Sequence, residues 1–240
     1  MLPQRMCTPD GTSVRVPRCA LALSEERWNC AERHREAIAA YWQRMTAERP
    51  KLFNGAVHVL IAHALREGTL TGTFARTDFK SFLYWRDHGA EGPTLDGFGS
   101  SLIRSSDGCV LLGRQVEGHL NGGFAYPPSG LIDPGDAVGG TIDIDKSIVR
   151  ELAEETGLMR ADLERRPGYI VTFGQSLVSI AIEWQSELSA EALRTRILAH
   201  VAHEPDPELS DVVIVRNLAD IDDPTILPYA RAKLRLALSA

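Results

Sequence analysis

Residues 150–158 read Arg-Glu-Leu-Ala-Glu-Glu-Thr-Gly-Leu. Glu151, Glu154 and Glu155 stand at i, i+3 and i+4, and at about 100° per residue a helix gathers such positions on one face. Three carboxylates on one face repel each other unless cations sit among them. Hard divalent ions such as Mg²⁺ and Mn²⁺ favour clustered oxygens of this kind. The same spacing also suits a solvated acidic face paired with Arg150 and Arg160. Ile148, Val149, Leu152 and Ala153 fall on the other side, an apolar face able to pack on a sheet. Asp143 and Asp145 are candidate N-caps, and Gly157 suits the left-handed position after the last turn. The segment is therefore predicted as an amphipathic helix that stops at Gly157 and shows carboxylates to a cleft.

Working outward, Tyr126-Pro127-Pro128-Ser129-Gly130-Leu131-Ile132-Asp133-Pro134-Gly135-Asp136 precedes the helix. With it, the acidic run resembles the Nudix box, whose pattern is Gly, five residues, Glu, seven residues, then Arg-Glu-apolar-any-Glu-Glu-any-Gly-apolar. The second half matches at every position. In the first half Gly130 stands where the first glycine belongs, and Asp136 follows at the right interval in place of Glu. Residues 137–149 then separate Asp136 from Arg150, thirteen where the pattern has seven. The excess, around Val138-Gly139-Gly140-Thr141-Ile142, is Gly-rich and reads as a loop insertion that bulges outward, since loop entropy grows slowly with length. A second, shorter resemblance lies upstream. Arg49-Pro50-Lys51-Leu52-Phe53-Asn54-Gly55, followed by strands and by Thr77-Asp78-Phe79-Lys80-Ser81-Phe82, is similar to the N-terminal extension of a small Nudix subgroup acting on UDP-glucose and UDP-galactose. The plainer reading of the same residues makes Phe53 core and Asn54-Gly55 a turn.

The resemblance implies hydrolysis of the diphosphate bridge in a nucleoside diphosphate linked to a group X. UDP-sugar is the first substrate implied, giving UMP and a sugar 1-phosphate. ADP-ribose or another dinucleotide-type diphosphate is the alternative, and a noncatalytic nucleotide-binding sensor is the reading outside the enzymes. The cofactor implied is Mg²⁺ or Mn²⁺, with Glu151, Glu154, Glu155 and the Gly130 carbonyl as ligands. Arg150 is implied to hold a glutamate in position, and Asp136 to replace a ligand with shorter reach or to contact Arg150. Glu154 could serve as general base; so could Glu208, in the acidic loop 204–211, which equally reads as solvated. Arg104 and Arg114, near strand ends, are candidates for pairing with phosphate. His119, Asn121, Phe124 and Tyr126 lie in the loop feeding the box, where Phe124 or Tyr126 could stack on a base and Asn121 bond its edge. His200 and His203 stand at i, i+3, but no third zinc ligand is near them in sequence.

Composition bounds the class. The chain has 240 residues, and a hydrophobic share of 44% suffices for a sizeable core. A net charge of −6 argues against broad nucleic-acid binding and leaves room for a local basic pocket. Cys7, Cys19, Cys30 and Cys109 show no Cys-x-x-Cys spacing, so reduced thiols are expected rather than zinc or disulfides. No apolar run is long enough to span a membrane and no signal-peptide pattern is seen, so no membrane partner and a cytoplasmic location are expected.

The fold class expected is α/β: a Nudix-type α/β/α sandwich with a mixed sheet over residues 96–240, plus an N-terminal α+β extension over 1–95. In the extension, residues 24–47 read as a helix, 56–65 and 69–76 as strands across a Glu67-Gly68 turn, and 78–86 as a helix capped by Asp78. The helix carries an apolar stripe of Trp28, Ala31, Ile38, Tyr41, Trp42 and Met45. The extension is expected to supply substrate contacts, a homodimer surface, or both. Beyond residue 96, strands are expected at 98–104, 109–114, within 169–184 and at 211–216. Helices are expected at 189–203 and 224–238.

Overall fold

The structure is a computed structural model and describes residues 10–90 and 92–239. Cys7 lies outside the described residues. In chain order the elements are β1 (Thr12–Val16), β2 (Arg18–Arg27), α1 (Cys30–Arg33), α2 (Arg35–Glu48), β3 (Ala56–Arg66), β4 (Thr69–Asp78) and α3 (Phe79–Asp87). There follow β5 (Asp96–Arg104), β6 (Val110–Gln115), β7 (Ala125–Tyr126), β8 (Ser129–Leu131), β9 (Ala137–Val138), β10 (Thr141–Ile142) and α4 (Ile144–Thr156). The chain closes with β11 (Glu164–Arg165), β12 (Tyr169–Phe173), β13 (Leu177–Gln185), α5 (Ala190–Val201), β14 (Leu209–Val215) and α6 (Pro228–Leu238).

The larger sheet runs β1-β12-β13-β5-β6-β14, with β7 on β6, β8 on β5 and β11 on β13. It is mixed, because β13 and β5 pair in parallel while their neighbours are antiparallel. Strand β5 has eight of its nine residues buried, so it is covered on both faces. One covering layer is α4 with α5, which bury Ile148, Leu152, Leu193 and Ile197 in a core shared with Val178 and Ile180. The other is α6, whose Ala230, Leu234 and Ala237 pack with Leu102, Leu112 and Ala181. The α/β/α sandwich expected from the alternating pattern is present.

The smaller sheet runs β3-β4-β2-β10-β9. Its β3–β4 hairpin turns at Glu67-Gly68, both at positive φ. Leu21, Leu60, Leu70 and Phe74 from this sheet join the same core as Ile144 and Ile148 of α4. The two sheets exchange strands across residue 95: β1 edges the large sheet, while β9 and β10 pair with the small one.

Two expectations are corrected here. Residues 24–27 do not begin a helix. They continue β2, whose Arg27 sits opposite Arg76 of β4, and helix starts only at Cys30. Backbone pairing to β4 outweighs the helical preference of Ser-Glu-Glu-Arg, a tertiary override of a weak local signal. The Gly-rich insertion likewise does not bulge outward. Gly139 and Gly140, at positive φ, turn a short hairpin whose Thr141 pairs with Ala22 and whose Gly140 carbonyl accepts from the Leu23 amide. The unpaired edge of β2 is covered in this way. Among the described residues, no helix is long and apolar enough to cross a membrane.

Candidate active site

Helix α4 begins at Asp143, whose side chain accepts from the Lys146 amide. Asp145, the other cap candidate, lies in the first turn and is taken by Arg165 and the Tyr169 hydroxyl. The helix ends at Gly157 in the left-handed conformation, φ 66°, which L side chains rarely adopt. Its apolar face, Ile144, Ile148 and Leu152, is buried. That burial fixes its rotation and turns Glu151 and Glu155 toward the loop carrying Gly130.

Arg150 organises the acids. Its Nη1 donates to Glu151 at 2.6 Å and to Glu154 at 3.0 Å. Its Nη2 donates to Asp136 at 3.0 Å and to the Leu131 carbonyl at 3.4 Å, while Nε lies 3.5 Å from Asp133. Burial works against this charge, but the Asp136 hydrogen bond and the surrounding carboxylates overcome it, so the guanidinium pKa goes up. Asp136 is wholly buried and also accepts from the Asp133 amide, closing a capping box with Asp133. A planar fork with several donors can serve the loop and the helix at once; an ammonium cannot.

Glu155 is the most enclosed acid of the helix. Its Oε1 accepts from the Ser129 amide at 2.9 Å, and its Oε2 is buried with no hydrogen-bond partner among the described residues. Burial, then the charge of Glu151, raises its pKa well above the usual carboxylate range. Burial also pushes Glu151 up to about 7, against the pull of Arg150 and with the help of Glu154. Gly130, paired with Gly99 of β5, touches this carboxylate closely: a Cβ there would lie 2.0 Å from Glu151 Oε1. Glycine is the residue that allows the helix acid to rest against the loop backbone.

A cleft of about 1110 Å³ opens beside Arg150 and Glu151. Gly130, Arg150, Glu151 and Glu208 line it, with Gln115, His119, Asn121 and Tyr126 along one side. Phe53 with Lys51, Phe79, Phe82 and Arg86 add a wall from the N-terminal part. Phe53 is 81% exposed, so it is not core. Asn54 is more than a turn residue: its Oδ1 accepts from the Lys80 amide at the start of α3 and its amide reaches Asp78. Lys51 pairs with Asp206 at 2.7 Å, linking the two walls through an exposed contact. Glu208 is exposed, and its charge is felt by Glu151 and Glu155.

The structure thus brings together Gly130, Arg150, Glu151, Glu155, Asn121, Tyr126 and Glu208. Glu154 stands beside them but is 59% exposed and turned to Arg150. Tyr126 is buried, which raises its pKa, and it hydrogen-bonds Asn121. Phe124 packs into the α6 core and does not line the cleft. Arg104 and Arg114 do not line it either. Arg104 is held by Glu183 and the Ala237 carbonyl; Arg114 donates to the Gly123 carbonyl. Each guanidinium is thus bonded within the fold rather than to the cleft. His200 bonds the Glu154 carbonyl and His203 the Ala199 carbonyl, so both serve helix ends. Phe53 and Arg86 carried no chemical signal in the sequence as site residues. Only its place in the short upstream motif hinted at the first.

Among the described residues, no group of three His, Cys, Asp or Glu side chains is gathered to hold a metal ion by itself. Arg150 accounts for this, since it draws Glu151 and Glu154 toward its own nitrogens.

No family model matches the chain, and no curated protein matches it. Solved structures do. A MutT protein from Methanosarcina mazei is 22% identical over 60% of this chain and 92% of its own, with a TM-score of 0.41. A Nudix hydrolase from M. smegmatis is 18% identical over 60% and 86%, with a TM-score of 0.41. An Ap4A hydrolase from C. elegans is 15% identical over 59% and 92%, with a TM-score of 0.40.

Proposed function

We propose that this chain is a Nudix-type pyrophosphohydrolase, dependent on Mg²⁺ or Mn²⁺, that cuts the diphosphate bridge of a nucleoside diphosphate derivative. One observation carries the reading: Glu155, buried with an oxygen unpartnered among the described residues, is bonded to the Ser129 amide next to Gly130, and Glu151, one turn back on the helix, rests on Gly130 and lines a large cleft. An orphaned buried carboxylate oxygen costs free energy unless something completes it. A hard cation does so. Mg²⁺ is commonly held by one or two carboxylates, with waters and substrate phosphate oxygens as the other ligands. The donor set of Glu151, Glu155 and the Gly130 carbonyl fits that habit without a third side chain, and Glu154 is the nearest further acid. The pKa of about 7 for Glu151 means that a cation would displace a proton there near neutral pH.

When bound, the metal supplies neutralisation of diphosphate charge and a lowered pKa for water. The chain's own residues do the rest. Arg150 holds Glu151 in line with the loop and keeps Asp136 and Asp133 from competing for the cation. Glu208, exposed on the cleft wall, takes the proton from the attacking water in this reading. Water oxygen then bonds to one phosphorus, the bridging P–O bond breaks, and the bridging oxygen leaves with the second phosphate. Asn121 and Tyr126 face the substrate from one wall. The Phe53 ring, apolar and exposed, offers a stacking surface for a base from the other. The class of substrate is a nucleoside diphosphate linked to X, with UDP-sugar first, and the N-terminal wall supports a substrate bulkier than a bare nucleotide.

The test is phosphate-ester release from UDP-glucose, ADP-ribose, diadenosine polyphosphates, coenzyme A and nucleoside triphosphates, with Mg²⁺, with Mn²⁺ and with chelator. Metal-dependent cleavage of one group, lost at least about 100-fold in Glu155→Gln, is expected. Unchanged turnover in Glu155→Gln would overturn the metal assignment. Tight binding without cleavage under either metal would mean a sensor.

A further inference from the structure

A second concavity of about 700 Å³ lies where the β1–β2 connection meets the β11–β12 loop. Its wall includes Arg18, Arg165, Arg166, Tyr169 and Thr69 and, among the described residues, no carboxylate side chain. In a chain of net charge −6 this is a local reversal of sign. Arg165 is neutralised by Asp145, whose two oxygens lie 2.5 and 3.3 Å from its Nη atoms. Its Nε is buried and makes no hydrogen bond, an unmet donor beside the pocket. Arg166 donates to the neutral amide oxygen of Gln185, so its charge is uncompensated. Arg18 is exposed, and neither it nor Arg166 forms an ion pair with another described residue. Pro17 and Pro167 stiffen the two rims, because proline fixes its own φ. The volume suits a small ligand rather than a polymer.

We infer that this concavity is a binding site for a phosphorylated small molecule, held by the guanidinium groups of Arg18 and Arg166. Guanidinium forks match phosphate oxygens in pairs, and two such forks across one pocket select a multiply charged anion over a monoanion. The site shares no lining residue with the cleft that holds Glu151. It therefore stands or falls independently of the hydrolase reading.

The experiment is calorimetric titration of the full chain with inorganic pyrophosphate, in chelator so that no metal recruits the probe to the acidic cleft. The intact chain and two variants are compared: Arg18→Glu with Arg166→Glu, and Lys51→Glu in the cleft wall. Both arginines are exposed, so an unchanged melting temperature confirms that the double variant is folded. Saturable binding is expected, weakened at least about tenfold in the double variant and unaltered by Lys51→Glu. Three results would overturn the site: no binding to the intact chain, equal affinity in the double variant, or a loss on Lys51→Glu that the double variant does not show.

Discussion

Lys233 is wholly buried on α6, and its ammonium donates to Ser100 at 2.5 Å and to Ser179 at 2.7 Å. These hydroxyls belong to β5 and β13, the parallel pair at the centre of the large sheet, and lie 3.1 Å from each other. Two hydroxyls do not replace the water shell of an ammonium, and burial lowers the lysine pKa from 10.5 to about 7. At about 1.4 kcal/mol per pH unit, that fall is a cost of roughly 5 kcal/mol to the folded state when the group is charged. The sign follows from proton counts. Between pH 7 and 10.5 the unfolded chain binds one more proton than the folded one, so stability rises with pH across that window. It is lost as pH falls toward 7, and below 7 this contribution is flat. Lys233→Met fills a similar volume without charge and leaves Ser100 and Ser179 bonded to each other. It is expected to stabilise the chain at pH 7 by about 2–4 kcal/mol, less than the full cost because the hydroxyls lose a partner. The assay is urea denaturation of both chains at pH 7, 8 and 9. The gap between them should close by roughly 1 kcal/mol per pH unit. Parallel stabilities across the three pH values, or a Met variant less stable at pH 7, would refute the reasoning.

Arg150→Lys keeps the charge but loses the fork that serves Asp136 and Glu151 together; turnover should fall at least about tenfold with fold retained by circular dichroism. Asp136→Ala removes a wholly buried ion-pair partner of Arg150, and urea denaturation should show a loss of about 3 kcal/mol. Phe53→Ala, at a position 81% exposed, should leave stability within about 0.5 kcal/mol. If the ring stacks on the base, KM should rise about tenfold with kcat little changed, and steady-state kinetics on the preferred substrate will read this.

How much was legible in the chain depends on the range of the interactions concerned. The α4 helix was readable because its information is local. Ile148 and Leu152 recur at helical spacing, Asp143 caps three residues ahead, and Gly157 stops the helix by its own backbone freedom. The β3–β4 hairpin was readable for the same reason, from two strand patterns joined by Glu67-Gly68. The strand character of 24–27 was not. Its pairing partner, Arg76, lies some fifty residues on, and the local sequence favours a helix. The insertion around Gly139-Gly140 could be recognised as a turn, but its docking on β2 depends on an edge that exists only in the assembled sheet.

The candidate site divides along the same line. The sequence by itself determined which acids share a helix face, since that needs only the helical repeat. Tertiary structure alone decided that Glu155 is sealed under the Ser129 backbone while Glu154 stays near solvent, because burial depends on what packs above the helix. It also decided that Arg104 is spent on Glu183 and that Phe53, from the loop before β3, lines the same cleft as Glu151. Charge and residue type can be read in one dimension. Which charges find partners, and which are left to bind something else, follows from distances between segments that the order of residues does not contain.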